Sequence, residues 1–526
     1  MNNKIIIFDT TLRDGEQASG FHMFAHEKMQ IAKALADMGV NVIEAGFAIS
    51  SPGDADAIYN IAKEVGTKDG PIICSLSRAN ITDIDAAANA IKPAYHKRIH
   101  TFIATSDIHT EKKLRKSKQE IIDMAVTSVK YAKQYTDDVE FSTEDFSRTA
   151  TSYLLEVVTA AIQAGATTIN LPDTVGYLTP DEIYDKVKDV IQGVGKRVDL
   201  ENIVFSFHCH DDLGNATANC CKAILAGVRQ IEVTINGIGE RAGNTSLEQV
   251  IANIRERGKY SINPHTGKPD PFYGLEVSHI KTQMIGSISK LVAEITGVAP
   301  QPNSPLIGRN SFAHEAGIHQ DGVLKERTTY EWMDPEDYGV ESIITFGPRS
   351  GRNALRAKYK SLGIKLTNDE FQSVAKIFTS IADKVKEIDD ADIIRSLEDG
   401  QEIPSYYQLV DYHPIINGEF GNVVKMKIGD TEERMYHTGN GQIDAGIKAI
   451  KSLMQKPEYH VKDYRAEAEG EGEDATGKTR LIVYQNGWKV IGKAENTDVV
   501  KSSLMAFIAG CNRMKYIEDY FHTRNP

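Results

Sequence analysis

Residues 4–20 read KIIIFDTTLRDGEQASG, a short apolar run that ends at Asp9 and passes into a polar loop. The run predicts a buried β-strand at the start of an α/β fold. In a doubly wound open sheet, the loop after the first strand would carry a glycine-rich phosphate-binding motif. LRDGEQASG stands in that place and is not such a motif. The stretch therefore favours the rival fold, a barrel.

The residues that follow alternate between short β-rich runs and longer stretches with helical spacing. Eight β-rich runs are separated by stretches with helical spacing, from residue 4 to about residue 258. The runs are KIIIFD, VNVIEAGF, PIICSL, RIHTFIAT, DVEFST, TTINLPD, IVFSFHCH and QIEVTING. They show little polar alternation, as expected for parallel strands covered on both faces. Eight strand–helix repeats predict a (β/α)₈ TIM barrel, whose active site lies at the carboxyl ends of the strands.

The alternation of strands and helices ends after the barrel, and three domains are expected. The turn-rich stretch from Asn263 to Gly274 predicts a boundary. The expected domains are a catalytic TIM barrel at 1–274, helical linker subdomains at 275–395 and a C-terminal α+β regulatory domain at 396–526.

The C-terminal domain contains a duplication. Residues 421–453 and 479–510 both read as strand, turn, strand and helix, which predicts two ββα units. The acidic, glycine-rich segment 466–478 between them is expected to be a mobile loop. Neither unit has a cluster of catalytic residue types, so a regulatory or oligomeric role is favoured.

Composition excludes several classes of function. The chain has 526 residues and a formal net charge of -13, which argues against sequence-independent binding of nucleic acid or anionic membranes. A local basic site for an anionic substrate is left open. The five cysteines lack a zinc-ribbon spacing, and no apolar stretch approaches the roughly 20 residues of a membrane span. A cytoplasmic protein with free thiols is expected.

The pair His208 and His210 is the first chemical cue. A spacing of two places both imidazoles on one face of a strand and Cys209 on the other. Together with a carboxylate and an amide oxygen they would suit Mg²⁺, Mn²⁺ or Zn²⁺ used as a Lewis acid. An isolated pair of this kind is more often two hydrogen-bonded strand-end histidines. The position at barrel strand seven, with an aspartate after strand one, favours the metal site.

Other polar groups follow the predicted strand ends. Arg13 could hold a carboxylate or stabilise an oxyanion, and its alternative role is a buried ion pair. The glycines of NGIGERAGNTSLE (Asn236–Glu248) are a weak phosphate signature, and a tight turn with Asn244 near a helix cap explains them equally well. His314 and His319 lie in a polar, glycine-containing loop, where a functional histidine gains weight.

Five motifs together resemble the 2-isopropylmalate synthase family. They are FDTTLRDGEQ, INLPDTVGY, HCHDDLGNATAN, NGIGERAGNTSLE and FAHEAGIHQDGVL. The wider superfamily of barrel metal enzymes, the DRE-TIM metallolyases, includes homocitrate synthases, citramalate synthases and related lyases. The resemblance covers nearly the whole chain. It implies an acyltransferase (EC 2.3.3.13) that condenses acetyl-CoA with 2-oxoisovalerate (3-methyl-2-oxobutanoate) and hydrolyses the thioester, the first committed step of leucine biosynthesis.

The resemblance also implies roles for individual residues. The implied metal ligands, for Mn²⁺, Mg²⁺ or Zn²⁺, are Asp14, His208, His210 and Asn244. The implied contacts to the 2-oxo acid are Arg13, His100, Ser142, Glu144 and Thr174. The implied catalytic residues are Arg13, Glu144, His319 and Tyr330. His319 and Tyr330 would enter from the neighbouring subunit of a homodimer, and the identity of the general base stays open.

Regulation and substrate choice are less determined. The C-terminal domain resembles a leucine-binding allosteric domain, but its sequence departs enough from that pattern to leave another effector open. Citramalate and homocitrate synthases perform the same chemistry on pyruvate and 2-oxoglutarate. An acyl-CoA lyase would lack the extension at 275–526. Intact Arg13, Asp14 and His208 disfavour a non-catalytic regulator.

Overall fold

The computed structural model describes residues 3–277, 279–416, 419–470 and 475–524. It divides into two compact units, the first made of Met1–Phe312 and Trp332–Ser342, the second of Ala313–Glu331 and Ile343–Pro526. Within the described ranges, no helix is long and apolar enough to cross a membrane.

The first unit contains a closed barrel of eight parallel strands. All eight predicted strands are confirmed, and each pairs with its neighbours in chain order until β8 meets β1. The strands are β1 (Ile6–Asp9), β2 (Val42–Glu44), β3 (Ile72–Arg78), β4 (Lys97–Ala104), β5 (Val139–Glu144), β6 (Thr168–Asp173), β7 (Val204–Cys209) and β8 (Gln230–Val233).

A helix follows each strand and covers the outside of the barrel. The first ends where the sequence predicts, at Met38 before Gly39. The helices are α1 (Ala25–Met38), α2 (Pro52–Glu64), α3 (Ile81–Ala90), α4 (Lys118–Ala132), α5 (Thr151–Ala164), α6 (Pro180–Gly195), α7 (Ala216–Ala226) and α8 (Leu247–Gly258). A further helix, α9 (Ile285–Thr296), contacts α1. Asn244 lies near the start of α8, as suggested: Ser246, two residues later, is the N-cap and accepts a hydrogen bond from the Gln249 amide.

The barrel strands are buried on both faces, as expected, but the expectation of little alternation is wrong for β4 to β8, where apolar and polar side chains alternate. On β7, Phe205, Phe207 and Cys209 join the apolar core with the helices. Ser206 instead pairs with Asn170 of β6 and Gln230 of β8, and His208 lines the cavity inside the barrel. On β1 to β3 the inward side chains are apolar as well, because Phe8, Val42 and Cys74 form a separate buried cluster. The inward side chains of β4 to β8 are largely polar, which leaves that half of the barrel interior available for chemistry.

A hydrogen-bonded cluster fills part of that interior. Arg98 Nη1 donates to Glu140 Oε2 at 2.9 Å and to Gln230 Oε1 at 2.7 Å, and Gln230 Nε2 donates to Glu140 Oε1 at 2.8 Å. Burial raises the pKa of Glu140 to about 7 in spite of the Arg98 guanidinium beside it. Each of these buried polar groups has a hydrogen-bond partner. The cluster can therefore fill this part of the barrel interior in place of apolar side chains.

The second unit begins with short helices, as predicted for this part of the chain, and two-residue strands. They are β9 (Ala313–His314), α10 (Gly317–Lys325), β10 (Ile343–Ile344), α11 (Arg352–Ser361), α12 (Asn368–Ala382) and α13 (Asp390–Arg395). The amphipathic helices α11 and α12 bury a small apolar cluster around Tyr359 and Phe371.

Two similar modules form the rest of the second unit. The first is β11 (Tyr407–Ile416), β12 (Phe420–Ile428), β13 (Thr431–Gly439) and α14 (Gln442–Met454); the second is β14 (His460–Glu469), β15 (Thr476–Gln485), β16 (Trp488–Asn496) and α15 (Val499–Arg524). The predicted duplication is confirmed, with one additional antiparallel strand at the start of each unit. The expectation of a loop at 466–478 is wrong at both of its ends, because β14 continues to Glu469 and β15 begins at Thr476. Residues 471–474 of that segment lie outside the described residues.

Candidate active site

A cavity of about 220 Å³ opens at the carboxyl ends of the barrel strands. Its lining includes eight of the residues selected from the sequence: Arg13, Asp14, His100, Ser142, Glu144, Thr174, His208 and His210. All eight strands, or the loops directly after them, contribute side chains to this wall. The barrel geometry therefore brings together groups that are separated by almost 200 positions in the chain.

Three of the metal-ligand candidates converge at one side of this cavity. The Nε2 atoms of His208 and His210 lie 3.4 Å apart, and His208 Nε2 lies 3.8 Å from Asp14 Oδ2. The donor atoms of all three residues lie within 4.8 Å of one another. Two ligands bound to one ion at about 2.1 Å each are separated by about 3 to 3.5 Å. The three side chains could therefore close around a divalent ion.

Asn244 lies beside this group because a glycine makes room for it. Its Nδ2 donates to Asp14 Oδ1 at 2.8 Å, while its Oδ1 is buried and has no hydrogen-bond partner among the described residues. Gly239 faces it, and a Cβ at Gly239 would lie 2.1 Å from Asn244 Nδ2. The glycine-rich loop thus serves as a tight turn here. A buried amide oxygen without a hydrogen-bond partner still has its lone pairs free, and a bound ion would satisfy them.

The electrostatics of Asp14 and His210 fit an ion held by nitrogen and oxygen ligands. Burial lowers the pKa of His208, but Glu232 and Asp14 outweigh burial and raise that pKa, so an ion at this position would have to displace a proton from His208. Burial would raise the pKa of Asp14, but the Arg13 guanidinium and the neighbouring histidines outweigh burial and hold that pKa well below its ordinary value. Burial, with the nearby His208, lowers the pKa of His210 to about 4. An ionised carboxylate and a neutral imidazole are the forms that bind metal. The residues present therefore fit a divalent ion, and thiolates are absent from the group.

Cys209 plays no part in the group, in agreement with the sequence. It is buried in the apolar core on the other face of β7, where Asn219 Nδ2 approaches its Sγ at 3.6 Å. Of the two aspartates after His210, Asp211 accepts a hydrogen bond from the Ala216 amide at the start of α7. Asp212 forms an ion pair with Arg241. These two carboxylates fix the loop and are not ligand candidates.

Arg13 bridges two buried carboxylates. Its Nη1 lies 2.6 Å from Asp14 Oδ2, and its Nε lies 2.6 Å from Glu44 Oε2. Glu44, on β2, also accepts a hydrogen bond from Thr10 Oγ1 at 2.7 Å. Burial raises the pKa of Glu44, but Arg13 and His100 outweigh it and lower that pKa to about 2. The guanidinium is thereby fixed at the cavity wall beside the metal-ligand candidates.

Glu44 continues this network across the barrel. Its Oε1 lies 2.7 Å from His100 Nδ1, and His100 Nε2 lies 2.7 Å from Ser142 Oγ. Asn170 Nδ2 donates to the same Ser142 oxygen at 2.8 Å. Burial lowers the pKa of His100, but the Glu44 carboxylate outweighs it and raises that pKa. When His100 is protonated, Ser142 accepts two hydrogen bonds and its own hydroxyl proton is available to a ligand in the cavity.

A strained residue positions the groups at the end of β5. Asp145 is fully buried and has a φ of 66°, in the left-handed region that non-glycine residues rarely adopt. In this conformation its amide donates to Thr174 Oγ1 at 2.9 Å, and its carboxylate accepts from Arg148 Nε at 2.8 Å and from Ser106. The strained turn thus holds Glu144 and Thr174 at the cavity, and Lys113 Nζ lies 2.9 Å from Glu144 Oε1.

Two buried carboxylates were given no role by the sequence. They are Glu44 on β2 and Glu232 on β8. Glu232 Oε2 lies 3.0 Å from His208 Nδ1. This close contact orients the His208 ring so that Nε2 faces Asp14 and His210, which together with His208 are called the ligand group. An acidic residue in an otherwise apolar barrel strand is the signal that could have found both, because such residues are rarely buried without a partner.

The two remaining catalytic candidates lie in the second unit. The ring centroids of His319 and Tyr330 are 4.3 Å apart, and both side chains are exposed. His314 instead forms a hydrogen bond with the buried Glu331, at 2.9 Å from Nε2 to Oε1. His314 is therefore structural, whereas His319 and Tyr330 form an accessible pair.

Family comparisons cover the chain in three consecutive parts. Residues 4–292 match the HMGL-like family, residues 306–386 match a homocitrate synthase post-HMGL domain-like family, and residues 387–515 match the LeuA allosteric (dimerisation) domain. The barrel and its ligand group thus define an enzyme of the HMGL-like class.

Relatives along the full length narrow that class. The 2-isopropylmalate synthase of Gloeobacter violaceus is 46% identical over 520 residues, which cover 98% of this chain and 95% of that protein. The enzymes of that name from Nostoc sp. and Aquifex aeolicus are 45% and 42% identical, over 97% and 100% of this chain and 96% and 98% of theirs. The chain belongs to the 2-isopropylmalate synthase family, acyltransferases (EC 2.3.3.13) of leucine biosynthesis.

Replacement of Glu232 tests the orientation of His208. Glu232→Gln removes the charged acceptor at His208 Nδ1, and we expect the affinity for Mn²⁺ to fall by about 10- to 100-fold, as for other partners of metal-binding histidines. Isothermal titration of chelator-stripped protein measures this affinity. Glu240→Gln is the matched control, because Glu240 lines the same cavity and has no contact with His208. An equal loss in both variants would refute the orienting role.

Proposed function

We propose that the barrel cavity condenses acetyl-CoA with 3-methyl-2-oxobutanoate. The methyl group of acetyl-CoA loses a proton, the resulting enolate carbon attacks the keto carbon, and the keto oxygen becomes an alkoxide that takes up a proton. Water then cleaves the thioester to release 2-isopropylmalate and CoA. The observation that carries the proposal is the convergence of Asp14, His208 and His210 beside the buried guanidinium of Arg13. This is an arrangement suited to an oxygen that gains negative charge.

The polar wall of the cavity is proposed to hold the 2-oxo acid by its oxygens. Asp14, His208, His210 and Asn244 would hold a divalent ion, Mn²⁺ or Mg²⁺ or alternatively Zn²⁺, which when bound polarises the keto group as a Lewis acid. Arg13 would direct positive charge at the same oxygen. Ser142, supported by His100 and Asn170, and Thr174, supported by the Asp145 amide, would donate hydrogen bonds to the carboxylate.

The opposite wall suits a branched alkyl group. Phe47, Leu76 and Phe102, from the ends of β2, β3 and β4, line it. Arg13 is the only lysine or arginine among the described lining residues, and it is bonded to Asp14 and Glu44. The second carboxylate of 2-oxoglutarate would find no counter-charge on the apolar wall, and the methyl group of pyruvate would leave it unfilled. Both features support 3-methyl-2-oxobutanoate as the substrate.

Glu144 is proposed to accept the proton from the acetyl methyl group. The other carboxylates of the cavity wall are committed elsewhere: Asp14 to Arg13, Glu232 to His208 and Glu240 to Arg241. Among the residues that the structure describes, the Glu144 carboxylate has a single ion-pair partner, the exposed Lys113. His319 with Tyr330 would then activate the water that cleaves the thioester, since an imidazole next to a phenol can relay a proton.

A homodimer is proposed as the active form. The match of residues 387–515 to a dimerisation domain indicates oligomerisation, and the exposed His319–Tyr330 pair is accessible to a second chain. The proposed domain assignment is the one made from the sequence. Residues 1–274 are catalytic, residues 275–395 are a helical linker that completes the partner's site, and residues 396–526 are regulatory.

Leucine is the proposed effector of the C-terminal modules. The support is the allosteric description of the matching family and the place of the enzyme in leucine biosynthesis. An end product that binds between subunits would shift the population of active dimers by its differential affinity for two states.

The choice of substrate can be tested directly. We expect CoA release from acetyl-CoA to be fastest, in kcat/KM, with 3-methyl-2-oxobutanoate, because its isopropyl group fills the apolar wall. The assay follows free thiol with 3-methyl-2-oxobutanoate, pyruvate and 2-oxoglutarate in the presence of Mn²⁺. A preference for pyruvate or 2-oxoglutarate would contradict the assignment.

Mixed dimers test the shared active site. His319→Ala and Arg13→Gln should each be nearly inactive alone, because one lacks the incoming imidazole and the other the barrel guanidinium. If the site is shared, unfolding and refolding an equal mixture should restore about a quarter of the wild-type turnover, because half of the dimers then contain one intact site. No recovery beyond the sum of the separate variants would show that each chain uses its own His319.

A further inference from the structure

The loop between β4 and α4 concentrates positive charge in an acidic chain. Five of the seven residues from 112 to 118, here called the basic segment, are lysine or arginine, while the whole chain has a net charge of -13. The five are Lys112, Lys113, Arg115, Lys116 and Lys118, and all are exposed. An exposed cluster of this density attracts anions over about 8–10 Å at ordinary ionic strength.

The basic segment lies at the mouth of the active site. It follows the carboxyl end of β4, the end at which the cavity opens, and Lys113 Nζ lies 2.9 Å from Glu144 Oε1 in the cavity wall. A ligand whose reactive end is in the cavity could therefore place a charged tail on this loop.

The backbone of the basic segment is unusual for a surface connection. Residues His109–Leu114 form a single π-helical stretch, and Arg115 follows with a φ of 54° in the left-handed region. Non-glycine residues pay a cost for this conformation, and π-helical turns are frequent at functional sites. The π-helical stretch therefore ends before Arg115, and Arg115 is exposed on the loop that leads to α4 at Lys118.

The cations of the basic segment are unequally paired. Lys116 and Lys118 have ion-pair partners at 3.1 Å and 2.9 Å, in Glu120 and Asp107. Lys112 and Arg115 have no carboxylate within ion-pair distance among the described residues. These two side chains are available to an external anion, and a guanidinium can bind a phosphate through two parallel hydrogen bonds.

We propose that the basic segment binds the phosphate groups of acetyl-CoA. This inference rests on the proposed function, in which acetyl-CoA is the acyl donor. The acetyl thioester reacts in the cavity, whereas the diphosphate and the 3′-phosphate need cations that the apolar wall of the cavity does not offer. Lys112 and Arg115 are the contacts, and Lys113 stays with Glu144 and joins the segment to the reacting end.

A truncated donor separates phosphate binding from every other effect. Acetyl-pantetheine carries the same thioester and lacks all of the phosphates. For Lys112→Glu/Arg115→Glu, we expect kcat/KM with acetyl-CoA to fall about tenfold or more, through KM, because two attractive contacts become repulsive. With acetyl-pantetheine we expect kcat/KM to equal that of the wild type.

Lys63→Glu/Lys130→Glu is the matched control. It makes the same change in net charge at two exposed lysines in the last turns of α2 and α4, which lie at the opposite end of the barrel. We expect wild-type kinetics with both donors.

Two outcomes would overturn the proposal. An unchanged kcat/KM with acetyl-CoA would show that the phosphates bind elsewhere, and an equal fall with both donors would show that the basic segment acts on the cavity instead of on phosphate. Failure of the proposed function is distinct from either, since the wild type itself would then release no CoA with 3-methyl-2-oxobutanoate.

Discussion

Arg13 holds the active site together because one buried guanidinium is shared between two buried carboxylates. Asp14 and Glu44 lie at 2.6 Å from its two nitrogen atoms, and both carboxylates are shielded from water. A buried ion pair that loses one partner leaves an uncompensated charge, at a cost of about 3–5 kcal/mol. The guanidinium is therefore constrained by its neighbours, and its neighbours by it.

Each half of the site depends on one of these two contacts. Through Asp14 the guanidinium fixes the ligand group and the neighbouring Asn244. Through Glu44 it fixes the chain of hydrogen bonds that ends at the hydroxyl of Ser142. The two halves would hold the same small molecule, one by its keto group and one by its carboxylate. Because they share Arg13, a change in one half is expected to alter the other.

Charge also explains why the site calls for a cation. Asp14, Glu44 and Glu232 are buried in this part of the barrel. Among the described residues, Arg13 is the only lysine or arginine paired with any of them, and His100 is paired with Glu44. A divalent ion would neutralise the excess negative charge. The acidity of the whole chain, in contrast, bears on the acyl donor, because an anionic cofactor approaching an acidic protein needs a local region of opposite sign. The basic segment at the mouth of the barrel is such a region.

The sequence predicted the barrel well, since eight apolar runs alternated with helices that have clear stop signals such as Gly39. It also placed Arg13, Asp14, His100, His208 and His210 at strand ends, where the closed barrel brings them to one cavity. The inward position of Glu232 and the contacts of Glu44 were not predicted, because which side chains meet inside the barrel depends on the register between strands. The strained φ of Asp145 and the additional strands β11 and β14 likewise depend on long-range packing.

Direct titration of the ion tests the central claim, that Asp14, His208 and His210 form one metal site organised by Arg13. Chelator-stripped wild-type protein, titrated calorimetrically with Mn²⁺, should bind one ion per chain. His208→Ala should abolish that binding, while His26→Ala, which removes an exposed histidine on α1, should retain it. Stoichiometric binding of undiminished affinity in His208→Ala would contradict the account.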